Sequence, residues 1–308
     1  MISIIVPIYN EEKTLVELHQ RILNTLQRYP ESYEIIFVND CSTDGSYGVM
    51  RTLTPLKIIS LQRNYGETAA LDVGIQNAIG DIIIFLDGDL QNNPEDILKL
   101  LEKIKEGNDV VAGWRQNRKD SFSRILFSRF SNLIIGYILG VKIHDLGCGL
   151  KAYRARFIKD FRLWGQSLAF LPAVAKERGA VICELPVAHN LRQAGHSKIG
   201  IWKMVKGIFD LISVVFIIKY FFKPFRFFGG WGAVAILLSV LTFGFAIFLR
   251  LAGILHFTET PLPTIGTLFA VMGVLLFMMG LLAEILVRTY NAATNNSPQV
   301  VREIKENR

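Results

Sequence analysis

Cysteine is scarce in this chain, and charge is missing from one long stretch of it. Only three cysteines occur in 308 residues, Cys41, Cys148 and Cys183. They form no CxxC pair and no even framework, which excludes a disulfide scaffold and favours a reducing compartment. Between Phe227 and Ala283 the only charged residues are Arg250 and Glu259. No P-loop, GxGxxG or Ser–His–Asp arrangement stands out, and His144, His189 and His196 are spread without metal-ligand spacing. No zinc-finger or RNP-like pattern accompanies the basic balance, so nucleic acid is not an expected partner.

Hydrophobic residues make up 51% and charged residues 20%, which excludes disorder and a coiled coil. The mean hydropathy of +0.33 is nevertheless high for a soluble protein. The charges resolve the discrepancy, because residues 1–226 hold 29 Lys+Arg and 23 Asp+Glu. A soluble-looking domain is followed by an apolar tail. Lys198, Lys203, Lys206, Lys219, Lys223 and Arg226 lie just before that tail. Such a cluster favours anionic lipid head groups, so a membrane surface is an expected partner.

Phe227–Leu249 and Thr260–Ala283 are uncharged runs of 23 and 24 residues. A helix needs about 20 apolar residues to cross a bilayer. Pro261 and Pro263 mark the start of the second run, where a missing N–H costs little. Two antiparallel spans return both ends to one side. Lys219, Lys223 and Arg226 before the first span and Arg288 after the second mark that side as cytoplasmic. Two buried helices of a large soluble core are the alternative. The expected organisation is a cytoplasmic domain at 1–198, interfacial juxtamembrane helices at 199–226, and a multi-pass membrane domain at 227–308 ending in a short cytoplasmic tail. Met1–Ile8 is apolar but lacks a basic flank and reads as a first strand, not a signal peptide. Residues 199–222 show helical spacing of Ile201, Trp202, Val205, Ile208, Phe209 and Ile212. An interfacial helix and a core-packing helix both fit.

Residues 1–113 alternate strand and helix patterns. Strands are expected at Ser3–Ile8, Glu34–Val38, Ile58–Leu61, Ile82–Leu86 and Val110–Ala112. Helices are expected at Leu15–Leu26, Ala69–Ile79 and Pro94–Glu106. This alternation predicts an α/β domain with a mostly parallel sheet flanked by helices. Ligands of such sheets bind at the carboxyl ends of the strands. The residues there are Pro7, Tyr9, Asn10 and Glu11, then Asn39, Asp40, Ser42 and Asp44, then Arg63 and Asn64, then Asp87, Gly88, Asp89 and Gln91. Polar and acidic groups therefore gather at one edge.

Asp87 and Asp89 stand two residues apart directly off an apolar strand. Neighbouring carboxylates repel unless one protonates or a cation joins them. Oxygen ligands suit Mg²⁺ or Mn²⁺, which keep open positions for substrate phosphates. DxD alone also occurs in solvated loops. Asp40 either accepts hydrogen bonds from a base or ribose, or serves the turn-rich segment Asn39–Gly45.

IIVPIYNEE at the start, VNDCSTDGS at 38–46, LQRNYGETAAL at 61–71 and FLDGDLQNNPE at 85–95 together resemble family 2 glycosyltransferases of the GT-A fold. With DLGCGLKAYR at 145–154, LRQAGHSK at 191–198 and the two apolar runs, the likeness narrows. It resembles polyprenyl-phosphate glycosyltransferases, such as dolichyl-phosphate mannose synthases and bactoprenol glucosyltransferases, over essentially the whole chain. The resemblance implies that Pro7, Tyr9, Glu11 and Asp40 line a nucleotide pocket. It puts Asp87 on the nucleotide side, while Asp89 and Gln91 ligate a Mg²⁺ or Mn²⁺ ion on the diphosphate. Arg115, Arg129 and Arg192 would hold donor and acceptor phosphates, and Ser197 and Lys198 would complete the last motif. Glu67 departs from relatives that carry Lys or Gln there, and Asp145–Lys151 varies among them.

The activity so implied is inverting transfer of a hexose from a nucleotide sugar, UDP-glucose or GDP-mannose, to a polyprenyl phosphate at the inner (plasma) membrane. A phosphate monoester is largely dianionic at pH 7, so its oxygen needs no strong general base. Arginines bind phosphate bidentately and stay charged, and Arg115, Arg118, Lys119, Arg124 and Arg129 are dense here. A solvated basic surface is the bland alternative. Residues 120–142 read as an interfacial helix guiding the lipid or as an ordinary amphipathic core helix. Two other activities share the early motifs: a processive polysaccharide synthase, against which the missing QxxRW element and the two spans argue, and a non-catalytic membrane-tethered nucleotide-sugar-binding module. Gly229-Gly230-Trp231-Gly232 offers small residues for close helix packing, in a homo-oligomer among other settings.

Overall fold

The computed structural model describes residues 1–115, 143–163, 167–188 and 223–294, with positions 136, 140, 165, 216 and 220 between them; side chains are described as far as Thr289. The chain divides into two compact units, within residues 1–214 and 215–297. The expected boundaries of a juxtamembrane segment at 199–226 fall largely outside the described residues.

In the first unit, β1 (Ile2–Ile8), α1 (Leu15–Leu26), β2 (Tyr33–Asn39), α2 (Ser46–Met50) and β3 (Lys57–Ser60) come first. They are followed by α3 (Glu67–Asn77), β4 (Ile82–Phe85), α4 (Asp96–Lys105), β5 (Val110–Trp114), β6 (Lys151–Arg154), α5 (Leu171–Glu177) and β7 (Ile182–Pro186). The seven strands form one sheet in the order β3-β2-β1-β4-β6-β5-β7. Every pairing is parallel except those of β6, which runs antiparallel to both β4 and β5. The α/β, mostly parallel sheet read from the sequence is therefore the observed one, and α1 has the expected ends.

Side-chain alternation places helices on both faces. Ile2, Ile4, Val6 and Ile8 of β1 join one buried cluster with Leu15, Leu18, Ile22 and Leu26 of α1 and Ile97, Leu100, Leu101 and Ile104 of α4. Each such fully buried side chain contributes about 1.5–3 kcal/mol. Ile5 points the other way, toward α3. There a Cβ on Gly74 would lie 2.4 Å from the Ile5 methyl, so only glycine lets the helix come this close. Pro7 sits inside β1 without breaking the sheet. The last β1–β4 bond runs from the Leu86 N–H to the Ile5 carbonyl. Pro7, two residues on and facing the same side, lies beyond that ladder and removes no bond from it.

The second unit is a helical hairpin of α6 (Pro224–Leu251) and α7 (Leu262–Thr294). Each is long and apolar enough to cross a membrane. The first helix runs past the expected 227–249 at both ends, whereas the second starts inside the expected 260–283, at Leu262, and runs past its end to Thr294. The seam between them is built from glycine. A Cβ on Gly232 would meet the Gly273 carbonyl at 2.9 Å, and one on Gly273 would meet Ile236 at 2.6 Å. The Ser239 hydroxyl donates to the Gly266 carbonyl at 2.8 Å. Gly232 thus packs within its own chain, whereas a Cβ at Gly230 would meet nothing within 4 Å. Trp231, Val240, Phe248, Leu268, Leu275 and Leu286 stay exposed, which fits helices long and apolar enough to cross a membrane.

Candidate active site

The carboxyl ends of β1, β2 and β4 lie at one edge, and the loops leaving them are tied together. The Asn10 side-chain oxygen accepts from the Thr43 N–H at 2.8 Å. The Glu11 N–H donates to Ser46 Oγ at 3.0 Å, and Thr14 Oγ1 donates to the Gly88 carbonyl at 2.8 Å. Each loop holds a non-glycine residue in the left-handed region: Asn10 at φ 56°, Cys41 at φ 58° and Leu90 at φ 59°. Such conformations cost about 1–3 kcal/mol each and persist where surrounding structure enforces them.

These loops frame a cavity of about 830 Å³. Pro7, Tyr9, Glu11, Asp40, Asn64 and Tyr65 line one part of it. Asp87, Asp89, Gln91 and Arg115 line it too, with Glu67, Leu146, Gly147, Cys148, Gly149, Lys151, Leu168 and Ala169. The structure therefore brings together Pro7, Tyr9, Glu11, Asp40, Asp87, Asp89, Gln91 and Arg115 from the sequence reading. Arg129, Arg192, Ser197 and Lys198 lie outside the described residues, as do Arg118, Lys119, Arg124 and most of 120–142 and 199–222.

Asp40 is buried, and both its oxygens accept backbone N–H groups, from Tyr65 at 2.7 Å and Gly66 at 2.8 Å. It pins the turn before α3, where Gly66 has φ +93°. The local turn role belongs to its neighbours: Asn39 Oδ1 accepts from the Ser42 N–H, and Asp44 Oδ1 accepts from the Ser46 N–H.

Asp87 accepts a hydrogen bond from Asn92 Nδ2 at 3.0 Å, and Asp89 Oδ1 accepts from the Gln91 N–H at 3.1 Å. Burial, then the charges of Glu67 and Asp89, push the Asp87 carboxyl up to about 7, against the pull of Arg115 and Lys151. A Cβ on Gly149 would fall 2.0 Å from Asp87 Oδ2, so this glycine makes room for the carboxylate.

Arg115 is held by Asp145 in a two-pronged pair, Nε to Oδ2 at 2.6 Å and Nη2 to Oδ1 at 2.9 Å. Their side chains are 13% and 3% exposed, so the pair is largely out of water. Burial opposes the Arg115 charge, but Asp145 outweighs it and raises the guanidinium above its ordinary range. This bidentate hold fixes Arg115 against the cavity wall, and both oxygens of the Asp145 carboxylate are engaged in it. Glu184 braces the preceding residue, accepting from the His144 N–H at 2.7 Å.

Three residues were not singled out by sequence reasoning as parts of the site. Asn92 is buried and holds Asp87. Cys148 is buried, with its thiol pushed up to about 12 by burial, and serves as inert packing. Lys151 is buried at 3% exposure, its ammonium donating to the Leu146 carbonyl at 2.8 Å, and burial lowers its pKa. The available signal was strand direction. Residues after strands mark a binding edge only for parallel strands, whereas β6 is antiparallel and presents its first residue there.

The donor set fits a hard divalent cation. Among the described residues no group of three His, Cys, Asp or Glu converges as a metal site, so any ion here would draw most of its ligands from elsewhere. Asp87, Asp89 and Gln91 offer two carboxylates and an amide, the sparse oxygen set that suits Mg²⁺ or Mn²⁺ shared with substrate phosphates.

Residues 3–162 match the family model described as glycosyl transferase family 2. The chain is 39% identical, over an alignment of 316 positions, to dodecaprenyl-phosphate galacturonate synthase of Rhizobium johnstonii, covering 98% of this chain and 92% of that protein. It is 34% identical over 299 residues to undecaprenyl-phosphate 4-deoxy-4-formamido-L-arabinose transferase of Edwardsiella ictaluri, covering 94% and 90%. Glucosyl-3-phosphoglycerate synthase of Mycobacterium tuberculosis, solved with Mn²⁺, UDP and glucosyl-3-phosphoglycerate, superposes with a TM-score of 0.55 at 17% identity, covering 71% and 79%. At that identity it attests the fold alone. With the sheet order, the acidic edge and matches that run the length of the chain, the protein belongs to glycosyl transferase family 2.

Proposed function

We infer that this chain transfers a sugar from a nucleotide-diphosphate donor to a polyprenyl phosphate, inverting the anomeric carbon and giving a lipid-phosphate-linked monosaccharide. One observation carries this reading most. Relatives aligned over nearly the whole chain, the apolar hairpin included, bear names that specify polyprenyl-phosphate acceptors. The apolar hairpin supplies a physical reason, since a polyprenyl chain stays in the bilayer and its enzyme must work at the interface. The basic residues flanking the two helices support a cytoplasmic side for the sheet domain, at the inner membrane.

The chemistry follows from charge. A divalent cation, when bound, stabilises the departing nucleoside diphosphate as a Lewis acid. Asp89 and Gln91 would hold it, with Asp87 alongside. Asp145 keeps Arg115 oriented at the same edge, where a guanidinium offsets phosphate charge without titrating. Arg129 and Arg192 would join Arg115 in holding the donor and acceptor phosphates. The acceptor oxygen is already anionic, so no side chain need remove a proton from it.

The two relatives named act on a uronic acid and on a formamido pentose, which widens the donor class beyond neutral hexoses. The test is incubation of the purified protein in nanodiscs with polyprenyl phosphate, Mg²⁺ or Mn²⁺, and labelled nucleotide conjugates of glucose, mannose, galacturonic acid and formamido-arabinose. Metal-dependent label in the organic extract from one donor is the expected result. No lipid product from any donor, with nucleotide binding intact, would sink the reading.

A further inference from the structure

The cavity wall is far too acidic for its substrate. Five carboxylates and two cations, Arg115 and Lys151, are among the described lining residues. A nucleoside diphosphate sugar brings about two more negative charges into that space. A divalent ion at Asp87 and Asp89 offsets only those two carboxylates. Arg115 already gives two of its N–H groups to Asp145, at 2.6 and 2.9 Å, and part of its charge is offset there. Lys151 is different. It is 3% exposed, lines the cavity, and among the described residues makes a single hydrogen bond, to the Leu146 carbonyl at 2.8 Å. An ammonium carries three donors. A buried ammonium with donors to spare, on a residue that lines the cavity, is matched by an anionic oxygen of the ligand.

We propose that Lys151 is a donor-binding residue, its ammonium holding an anionic oxygen of the nucleotide sugar. That oxygen belongs to the diphosphate or to a carboxylate on the sugar, and the two are separable by experiment. The proposal rests on the donor being a nucleotide sugar, but not on the identity of the acceptor. The reversed strand makes it possible: Lys151 pairs with Phe85 of β4 and Ala112 of β5, which places it between the strands that lead to Asp87 and to Arg115.

The test is titration calorimetry of the full chain in nanodiscs with Mn²⁺ and no acceptor lipid. The probes are UDP, GDP, UDP-glucose and UDP-galacturonic acid, each against wild type and Lys151→Met. Methionine keeps the volume and removes the charge; Lys151→Gln serves if Lys151→Met does not fold. A charge-assisted hydrogen bond lost on one side predicts affinity weaker by about ten- to a hundredfold. Weakening already seen with UDP or GDP assigns the oxygen to the diphosphate. Weakening confined to UDP-galacturonic acid assigns it to a sugar carboxylate. Unchanged affinity for every probe in a folded variant, or no binding of any probe to wild type, overturns the proposal. Because no lipid is present, these outcomes are read independently of whether lipid transfer occurs.

Discussion

The two sides of the sheet build the same edge by opposite means. In β3-β2-β1-β4 all strands run parallel, and each site residue follows its strand: Pro7, Tyr9 and Glu11 around the end of β1, Asp40 after β2, Asp87 and Asp89 after β4. In β6-β5-β7 one strand is reversed, and the segment leading into it supplies Gly147, Gly149 and Lys151 to that edge, with Asp145 behind Arg115. The parallel side contributes carboxylates and the reversed side contributes cations and the glycines that leave space for them. The site is thus a meeting of two halves, each carrying charge the other offsets.

Removing the acidic half should have the largest effect. Asp89→Ala, or chelation of the divalent ion, is expected to lower lipid labelling by about 10²–10³-fold, the scale of losing one preorganised electrostatic group. The melting temperature should hold, because Asp89 is only half-buried; a variant that labels lipid normally would remove the metal from the proposed site.

Gly149→Ala attacks the junction of the halves. Its Cβ would need the space 2.0 Å from Asp87 Oδ2, so the carboxylate must move by about an ångström or more. Displacements of that size cost about 10²-fold in rate. Lipid labelling and Mn²⁺ affinity should both fall, and a fully active variant would show that Asp87 need not stand where it does.

Asp145→Ala tests the reversed side alone. It leaves Arg115 buried without its partner, which costs about 3–5 kcal/mol in buried pairs; a 13% exposed guanidinium puts the expectation at the lower end. The measurement is a melting curve with and without nucleotide, and nucleotide should restore part of the loss by binding the freed arginine. Equal destabilisation in both conditions would make Arg115 purely structural.

The smallest effect concerns pH. The folded Asp87 carboxyl sits at about 7, above its ordinary value of 3.8. The folded state therefore binds the extra proton between these values, and metal-free stability should decline as pH rises from about 4 to 7, then level off. Asp87→Asn cannot ionise, so in EDTA its melting temperature should fall less over that window. Parallel curves for the two proteins would mean that Asp87 ionises freely in the fold.

The hairpin is legible in the amino-acid sequence because chemistry and length coincide there: uncharged runs long enough to cross a bilayer have few other uses. The parallel side is legible for a similar reason. Apolar strands of the Ile82–Phe85 kind announce themselves, and in a parallel sheet the next polar residue lies at the binding edge. The small-residue seam reads ambiguously, since glycine reports close approach but not the partner, and Gly232 meets Gly273 of its own chain.

By itself, the sequence determined the α/β alternation, the acidic edge and the apolar tail, because burial periodicity and charge are local properties of the chain. Tertiary structure alone decided strand order and direction. Reversing β6 is a matter of pairing across more than sixty residues, from Phe85 to Lys151, and no local pattern encodes it. That reversal sets Lys151 at the cavity and brings Asp145 to Arg115. The partners of Asp40 were decided in the same way, since its carboxylate reaches past its own turn to the backbone of Tyr65 and Gly66 some twenty-five residues on.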